Sequence, residues 1–464
     1  MPASLNGILS IARSGLLTHQ LALQVTGNNL ANATTEGYSR QRAELVPSTP
    51  ILFPEGSLGT GVRVADITRA RNVLLDDVHR RESSLFFGFS TKYSALSNVE
   101  ATLAETSDLS LGAALDGFWS SWSDLANDPS SATGRSVVVA RAEQLVDQIR
   151  RIDSSLDVIG TQVAASMQTS VGRVNDILSE IAQLNGQIAG AMSGGNSAPN
   201  LADQRDRLLD ELAEFLPIES TPRDTGAVGV VADGISLVEG VSAQSLSLSF
   251  GSGTWALQTT SGAPISTDRG SIGGALSTLN TDFVAIRAQL DELAQGLVER
   301  VNAIHVTGTN PLGGTGLNFF DDFGDPTTVT AQTLSLDAAI LADAQAVAAG
   351  TADGGGNYQA GENDVALLLA GLRDDTSGSV LAGRSINTAY RDFVADVGLR
   401  AASANEAVQG HAVLVRSTGE ARESVSGVAT DEELVKVVQL QAAYGAAARL
   451  VSTVDEMYQT ILSI

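Results

Sequence analysis

The chain has 464 residues, a hydrophobic content of 43%, no cysteine and a formal net charge of -25. The length corresponds to about three domains. The absence of cysteine excludes disulfides, thiolate nucleophiles and cysteine-based metal sites. The negative charge argues against nucleic acid as a partner, because binding to phosphates needs clustered lysine and arginine. Residues 1–17 lack the basic and apolar regions of a secretory signal peptide, and no apolar run approaches the about 20 residues of a membrane span.

The first predicted element is a long amphipathic helix at the N-terminus. Its apolar positions are spaced alternately by three and four residues, as in the seam of a coiled coil. They are Leu5, Leu9, Ala12, Leu16, Leu23 and Leu30, with His19 and Thr26 in the two remaining places. Asn and Gly residues favour a helix end near Asn32 and a turn at Gly37. An extended stretch over 39–46, a Gly-rich loop and a short strand over 62–67 are predicted to follow.

Long helices are predicted over about 72–216. Asp128 and Pro129 form a helix-start pattern, with Asp as the N-cap and Pro at the first helical position. The longest helix is predicted over 136–192, a length of roughly 85 Å, and its apolar seam slips once in register. The first run is Leu145, Ile149, Ile152, Leu156, Ile159 and Val163, and the second is Met167, Val171, Val174, Leu178 and Ile181. Asn200 is a candidate cap for a further helix that ends before Pro217.

The second half begins with a change of composition. Residues 225–265 are rich in Gly, Val, Ser and Thr and alternate in polarity, which predicts a small β-rich insert. Helical spacing returns over 279–304, and residues 310–361 are mixed, with one helix predicted near 337–349. A helix over about 385–425 precedes the last helix, for which the sequence TDEE at 430–433 predicts a capping box. The last helix carries a second stripe in steps of three and four: Val437, Leu440, Tyr444, Ala447, Val451, Val454, Tyr458 and Ile461.

This order of elements predicts a nested fold that is mainly α with a smaller β-rich insert. The terminal helices form a coiled-coil-like pair, long helices form a rod domain, and the rod carries an outer β-containing domain. The predicted boundaries are 1–36 with 428–464 for the terminal coiled-coil domain, and 37–218, 270–308 and 371–427 for the rod. The outer insert is 219–269, and 309–370 is a candidate to pack beside it.

No catalytic, cofactor or metal site is predicted. The histidines His19, His79, His305 and His411 lie far apart and have no second ligand at metal-binding spacing, so we interpret them as solvated or packing residues. The chain contains no Walker A, nucleophile-elbow or zinc-protease motif. The Gly-rich stretches 56–61 and 353–364 are interpreted as a turn and a solvated surface loop, since neither fits a phosphate loop or an EF-hand. Enzymatic activity is therefore not predicted.

The two terminal stripes allow two interpretations. They describe either an ordinary antiparallel helix pair inside one globular core or surfaces that need a helix from another subunit. The spacing of the stripes fits both equally well.

Two terminal strings resemble the signatures of flagellar axial proteins, which form the rod, the hook and the hook–filament junction. The first is NNLANATTEGYS at 28–39, and the second combines QLQAAY at 439–444 with VSTVDEM at 451–457. Internal segments are similar to the hook-associated protein 1 family. These are WSDLANDP at 122–129, NLADQRDRLLDEL at 200–212, VNAIH at 301–305 and SGV at 426–428.

The resemblance implies a flagellin-like nested architecture and a structural role. A protein of this family assembles as a ring of subunits at the distal end of the hook, between the hook protein and the second hook–filament junction protein. It is extracellular, and it is exported through the flagellar type III channel without a cleaved signal peptide. A cytoplasmic export chaperone covers its C-terminal helix before secretion.

The resemblance also implies two sets of functional residues. The first is an assembly interface on the terminal helices: Leu5, Ile8, Leu9, Leu16, Leu23, Leu30, Val437, Leu440, Tyr444, Val451, Val454, Tyr458 and Ile461. The second is the axial-protein signature, expected to form an elbow that redirects the chain: Asn28, Asn29, Asn32, Thr35, Gly37 and Tyr38.

Three alternatives remain at this stage. The chain could be another axial protein, such as the second junction protein or a hook or distal rod subunit, which the segments 124–129 and 203–212 disfavour. It could be a secreted effector or adhesin that uses flagellar export signals. It could be a wall hydrolase carried by the axial structure, for which 310–370 shows no catalytic constellation.

Overall fold

A computed structural model describes residues 5–53, 56–103 and 110–463, so residues 1–4 of the predicted terminal domain lie outside it. The fold is mainly α. The helices are α1 (Leu5–Ala31), α2 (Val73–Leu103), α3 (Leu111–Asn127), α4 (Ala132–Ser193), α5 (Pro199–Phe215), α6 (Gly270–Ser277), α7 (Phe283–His305), α8 (Ala338–Ala342), α9 (Asp364–Gly371), α10 (Ile386–Ser426) and α11 (Thr430–Leu462). A π-helical turn, Thr278–Asp282, joins α6 to α7.

The strands form two antiparallel groups. They are β1 (Gln41–Pro47), β2 (Ile51–Phe53), β3 (Gly56–Leu58), β4 (Val62–Arg69), β5 (Glu219–Pro222), β6 (Val228–Ala232), β7 (Ile235–Glu239), β8 (Ser242–Ala243), β9 (Leu246–Gly251), β10 (Thr254–Thr259) and β11 (Pro264–Ile265). In the first group β1 pairs with β4 as a ribbon, and β2 pairs with β3 as a hairpin between them. The second group has sheet orders β5-β6-β7-β8 and β11-β10-β9. The predicted β-rich insert is therefore confirmed, and it begins at Glu219.

The long helix α4 passes through two hydrophobic clusters. Its 62 residues correspond to about 93 Å at 1.5 Å per residue, which confirms the prediction of one long helix. The first predicted apolar run packs with α3, α7 and α10. The second run packs with α5, α6 and the β insert, and Val163 contacts both clusters. The slip in register thus marks the point where the helix leaves one core and enters the other.

Residues 309–370 and the β insert pack in different places. Buried side chains of the first segment, among them Phe319, Val347 and Leu369, belong to the cluster around α3, α7 and the N-terminal half of α4. Those of the β insert, among them Val230 and Leu257, belong to the cluster around the C-terminal half of α4. The expectation that 309–370 packs beside 219–269 is therefore corrected, because the two segments bury their apolar faces against opposite halves of one helix.

Two predicted helix starts along α4 and α5 were wrong. Asp128 is the C-cap of α3, and α4 begins after Ser131, whose Oγ accepts a hydrogen bond from the Gly134 amide at 3.0 Å. Asn200 lies inside the first turn of α5, where its side-chain oxygen accepts a hydrogen bond from Gln41 at 2.7 Å. The Gly134 amide thus bonds Ser131 rather than Asp128, and the Asn200 side chain bonds Gln41 rather than an amide of its own helix.

Two later predictions, the capping box of the last helix and the helix over 337–349, were also wrong, because the side chains involved bond other groups. Thr430 is the first residue of α11 rather than its cap, and Glu433 is buried against α1 instead of closing a capping box. The helix predicted over 337–349 breaks at Asp343, because its carboxylate accepts the Gln345 amide and caps a separate short 3-10 turn. The helix predicted over 385–425 is confirmed as α10, with Ser385 as its N-cap.

His305 confirms the interpretation of a packing histidine. It lies in an aromatic core with Trp122 and Phe319 and is fully buried. The Ala348 amide donates to its Nε2 at 3.0 Å, so the proton is on Nδ1, which donates to the Leu317 carbonyl at 2.7 Å. Burial lowers the pKa of His305 to about 4.

This lowered pKa predicts an acid-sensitive core. Between the unfolded value of about 6.5 and the folded value of about 4, the unfolded chain binds the proton and the folded one does not. The contribution of His305 to the free energy of unfolding is therefore fully present above pH 6.5. It falls as the pH is lowered toward 4, by about 3 kcal/mol. Urea unfolding followed by tryptophan fluorescence at pH 7 and pH 4 should show that loss in the wild type. The matched variant His305→Gln should lack it, and an equal pH dependence in both would contradict the assignment.

Close backbone contact between α2 and α6 depends on glycine. A Cβ added to Gly274 would collide with the carbonyl of Gly88, whereas one added to Gly172 on α4 meets nothing within 4 Å. Gly274→Ala is expected to lower the free energy of unfolding by about 3 kcal/mol, the upper end of the overpacking range. Gly172→Ala is expected to raise it by about 0.5–1 kcal/mol, since alanine favours a helix. Urea unfolding of both variants measures the contrast, and similar values would contradict the close contact.

Candidate assembly site on the paired terminal helices

Helices α1 and α11 pack against each other in antiparallel orientation. At one end Asn29 Nδ2 donates to Glu433 Oε2 at 2.9 Å, and at the other the Tyr458 hydroxyl bonds Asn6 Oδ1. Midway, a Cβ on Gly15 would lie 3.6 Å from the Ala447 Cβ. The two ends of the chain therefore pair within one molecule along most of their length.

The predicted stripe of α11 faces α1. Val454 is 2% exposed and Ala447 is buried, while Val437, Leu440, Val451 and Tyr458 are half-buried. Tyr444 and Ile461 of the same stripe are exposed. One chain thus covers the stripe only in part.

The face that α1 buries shares only Ala12 and Thr26 with the predicted stripe. The buried residues are Ala12, Gly15, Thr18, Ala22, Val25, Thr26 and Asn29, whereas Leu5, Ile8, Leu9, Leu16, Leu23 and Leu30 are all half-buried. The buried line is rotated from the leucines by roughly 100°, the angle of one residue. Small side chains admit the β1–β4 ribbon, where Thr18 Oγ1 donates to the Val62 carbonyl at 3.0 Å, and α11 packs close by. The leucines flank this contact and keep part of their surface free.

Helix α11 exposes further apolar side chains outside this stripe. We call them the outer residues of α11, and they are Leu434, Val435, Val438, Leu450 and Met457. Val438 is 65% exposed. Leu434, Val435 and Val438 lie within five residues of one another, and clustered exposed apolar side chains mark interaction sites in soluble proteins.

The signature residues lie at the turn between α1 and β1. Asn29 is 1% exposed, and both its Oδ1 and its Nδ2 form hydrogen bonds. Its Oδ1 accepts from the Gln41 amide at 2.9 Å and from the Tyr38 hydroxyl at 2.8 Å, and its Nδ2 donates to the Gln41 carbonyl and to Glu433. One asparagine therefore connects the end of α1, the start of the ribbon and the start of α11.

The remaining signature residues shape the same turn. Asn32 donates to the carbonyl and the side chain of Asn28, and Thr35 donates to Asn32. Gly37 has φ of 72°, a left-handed conformation that suits glycine, and a Cβ there would collide with Arg207 of α5. Burial, followed by the charges of Asp203 and Glu433, raises the pKa of Tyr38 to about 12, so its hydroxyl stays protonated.

A network of arginine and aspartate side chains holds this turn to the rod. On α5, Asp203 and Asp206 both accept from Arg69 Nη1, at 2.9 and 2.7 Å. Asp206 also accepts from Arg71 Nη1 at 2.9 Å, and Asp203 accepts the Ser39 amide at 3.2 Å. The end of the ribbon is thereby fixed to α5.

The same network continues to α2 and α10. Asp76 accepts from Arg71 Nε at 2.7 Å and from Arg422 Nε at 2.8 Å. Asp210 accepts from Arg422 Nη2 at 2.6 Å and from Arg80 Nε at 2.7 Å. Burial would raise the pKa of Asp210, but the arginines outweigh it and hold that pKa below the ordinary value. We call these eight side chains the Arg–Asp network: Arg69, Arg71, Arg80, Arg422, Asp76, Asp203, Asp206 and Asp210.

Sequence reasoning missed the Arg–Asp network. One signal was available, because Asp203, Asp206 and Asp210 recur at helical spacing and so share one face of α5. Their partners could not be found the same way, since Arg69 and Asp203 are 134 positions apart.

Other kinds of site find no support in the described residues. None of the helices placed there has both the length and the apolar character needed to cross a bilayer. The same residues contain no group of three or more His, Asp or Glu side chains arranged to hold a metal ion.

Models of flagellar protein families match both ends and the middle of the chain. A model described as the helical domain of flagellar hook-associated protein FlgK matches residues 96–320. A model of the flagella basal body rod protein matches 9–38, and one of the C-terminal part of flagellar basal body rod FlgEFG proteins matches 422–464.

Curated relatives are similar over almost the whole chain. Flagellar hook-associated protein 1 of Bacillus subtilis is 28% identical, over 98% of this chain and 97% of its own length. The protein of the same name from Salmonella typhimurium is 26% identical, over 99% of this chain and 100% of its own. The chain is similar to the hook-associated protein 1 family along almost its whole length.

A solved structure agrees with this similarity at the level of the fold. The flagellar hook junction protein FlgK from Burkholderia pseudomallei aligns with a TM-score of 0.66 at 15% identity, over 75% of this chain and all of that one. The two basal body rod models coincide with α1 plus the elbow and with the end of α10 plus α11. The family helical domain includes α3 to α7 and the β insert between α5 and α6.

Proposed function

We propose that the protein is a structural subunit of the bacterial flagellum that forms part of the hook–filament junction and assembles with copies of itself through α1 and α11. Full-length similarity to proteins named flagellar hook-associated protein 1 carries the proposal. The similarity extends through 97–100% of those proteins, so it favours this member over a second junction protein or a hook or rod subunit. A structural rather than enzymatic role follows from the same family.

The terminal helices supply the physical basis for self-assembly. Their mutual packing leaves the leucines of α1 half-buried and the outer residues of α11 exposed. Burying apolar surface contributes about 25 cal/mol per Å², so contact with further helices stabilises an assembly. We assign the thirteen residues of the predicted interface to this contact, with Val454 already buried within one subunit.

The domain organisation follows from this role. We propose that 1–36 and 428–464 form the inner, assembling domain and that the rod domain comprises 37–218, 270–308 and 371–427. The signature residues and the Arg–Asp network form the elbow between them, because they join α1, the ribbon, α2, α5 and α10. The β insert 219–269 lies at the far half of α4 from the aromatic core.

Partners and route of export are part of the proposal. We propose contacts with the hook protein on one side and the second junction protein on the other, in a ring of subunits outside the cell. The exposed outer residues of α11 need cover before assembly, which supports a cytoplasmic export chaperone on this helix. Passage through the flagellar type III channel is proposed from the similarity to hook-associated protein 1.

Deletion of the gene tests this function. Electron microscopy of the mutant cells is expected to show hooks without filaments, with flagellin shed into the medium. Expression of the wild-type gene from a plasmid should restore filaments and serves as the control. Basal bodies without hooks would indicate a rod or hook subunit instead, and normal filaments would overturn the proposal.

A further inference from the structure

A cleft lies between strand β4 of the ribbon and the first turns of α5. Its volume is about 490 Å³, and β4, the end of α4, the loop 195–198, α5 and Gly226 line it. This volume falls within the range of about 300–1,000 Å³ that is typical of ligand sites. Ile67, Ile188 and Met192 contribute apolar surface to the cleft, and Arg205 contributes a charge. The cleft is therefore large enough for a small organic ligand.

Arg205 lines this cleft with one edge of its guanidinium group unbonded. The residue is 5% exposed. Its Nη1 donates to the side-chain oxygen of Asn185 at 3.1 Å and to the carbonyl of Gly226 at 2.7 Å. The other edge, formed by Nε and Nη2, has no acceptor among the described residues. A buried N–H group without an acceptor is costly, so this edge favours a partner that the chain itself does not provide.

The charge of Arg205 is also not balanced by a carboxylate. In the described part of the chain, the acids closest to it in sequence, Asp203 and Asp206, form their ion pairs with Arg69 and Arg71 instead. Burial lowers the pKa of Arg205, the charge of Asp206 offsets this lowering only in part, and the neighbouring arginines lower the pKa further. An anion in the cleft would therefore stabilise the charged form of this side chain.

The N-terminus of α5 adds positive potential at the same place. Ala198 is its N-cap, no side chain caps the first turn, and Ala198 and Pro199 line the cleft. The free amides and the dipole of a helix N-terminus favour anions. A long side chain on a helix lies over the turn before its own Cα, so Arg205 extends back toward this end of α5.

Asp66 limits the charge of the ligand. It is exposed on β4 and lines the cleft, so it repels a dianion such as phosphate more strongly than a monoanion. A carboxylate matches the Nε–Nη2 edge of a guanidinium group with two parallel hydrogen bonds. A short hydrocarbon chain on that carboxylate would meet the apolar side chains of Ile188 and Met192. Charge, geometry and lining thus favour a small organic monocarboxylate.

We propose that this cleft binds a carboxylate through the free edge of Arg205 at the N-terminus of α5. The carboxylate belongs either to a free organic acid or to an Asp or Glu side chain of a neighbouring protein. The site goes beyond the proposed function and does not depend on it.

Butyrate is a suitable probe for the purified full-length chain. Saturation-transfer NMR should show a saturable signal from the butyrate protons, and acetate should displace it more effectively than phosphate does at equal ionic strength. Absence of saturable binding to the wild type would overturn the proposal. Stronger displacement by phosphate would overturn the assignment to a monocarboxylate.

Variants on both sides of the cleft locate the bound anion. Arg205→Met should weaken butyrate binding by at least about tenfold, because it removes charged hydrogen bonds. Asp66→Asn should strengthen it by up to about fivefold, because it removes an exposed like charge. Arg416→Met is the matched control for Arg205→Met, since Arg416 is exposed on α10 outside the cleft, and it should bind as the wild type does. Weaker binding by Asp66→Asn would contradict the placement of the anion.

A steric block keeps the test decisive if Arg205→Met does not fold. Ala65 is exposed and lines the cleft, so Ala65→Trp should fill the cleft and abolish butyrate binding without changing the thermal unfolding midpoint. Leu45→Trp is the control, since Leu45 is exposed on the neighbouring strand β1 outside the cleft. Wild-type binding by Ala65→Trp, or by a folded Arg205→Met, would overturn the proposal.

The same two tryptophan variants distinguish the sources of the carboxylate. If an acidic side chain of a neighbouring protein occupies the cleft, isolated flagella should contain less Ala65→Trp than Leu45→Trp protein. If a free organic acid occupies it, the two amounts should be equal while butyrate binding differs. Absence of the wild-type protein from flagella would overturn the proposed function and leave the carboxylate site standing.

Discussion

Replacing Val451 and Val454 by aspartate is expected to abolish incorporation of the protein into flagella. Val454 is 2% exposed between α11 and α1, and Val451 is half-buried on the same face. A carboxylate placed there loses its hydration without gaining a partner, which costs several kcal/mol or forces the helices apart. The two hydrophobic clusters of the rod contain neither residue. The rod should therefore stay folded while the terminal pair opens.

Immunoblots of isolated flagella measure this loss, and cells carrying the variant should have hooks without filaments. Fluorescence of the buried Trp119 and Trp122 reports whether the rod remains folded. Ser452→Asp/Gln459→Asp is the matched control. It adds two carboxylates to the same helix, but at exposed positions. Normal assembly of Val451→Asp/Val454→Asp would contradict the assignment of this face to assembly.

Elements with strong internal periodicity could be predicted from the sequence. The length of α4 and the slip in its seam were readable because apolar residues repeat over many turns, and the slip turned out to separate two cores. Helix starts were less predictable. Asp128 and Thr430 both fit the local rules for a helix N-cap. In the structure, however, Ser131 accepts the first amide of α4, and Glu433 of the predicted capping box bonds Asn29 instead.

The face of α1 shows a second limit of pattern reading. The leucines repeat at coiled-coil spacing, yet none of them is buried. Of the predicted stripe only Ala12 and Thr26 are buried, together with Gly15, Thr18, Ala22, Val25 and Asn29. Two elements, α11 and the ribbon, approach α1 closely, and small side chains allow that approach. Size at the contact, rather than hydrophobicity alone, decides which face is buried.

The elbow could be located from the sequence but its chemistry could not. Asn and Gly preferences place a turn near Asn32 and Gly37, and the structure has one there. The contact of Asn29 with Glu433 joins residues 404 positions apart, and the Arg–Asp network joins four separate elements. Such pairings depend on the completed fold, so no spacing rule along the chain reveals them.

The Arg–Asp network should contribute strongly to stability, and Asp76 tests it. Asp76 is 5% exposed and accepts hydrogen bonds from Arg71 and Arg422. Asp76→Ala removes one carboxylate partner from each of these two arginines, while Arg71 keeps Asp206 and Arg422 keeps Asp210. Losing such charged hydrogen bonds costs about 1.5–3 kcal/mol. The free energy of unfolding in urea should fall by that amount. Because Arg422 lies near the end of α10, the connection to α11 should become more sensitive to protease.

The neighbouring residue provides the control. Asp77 is exposed and its carboxylate lies 3.8 Å from Arg80, so Asp77→Ala should change the free energy of unfolding by about 0.5 kcal/mol or less. Adding Arg422→Met to Asp76→Ala removes one of the two arginines that have lost a carboxylate partner and should recover part of the loss. Equal effects of Asp76→Ala and Asp77→Ala would mean that the network contributes no more than surface ion pairs. The elbow would then owe its shape to Asn29 and Gly37 rather than to the arginines behind them.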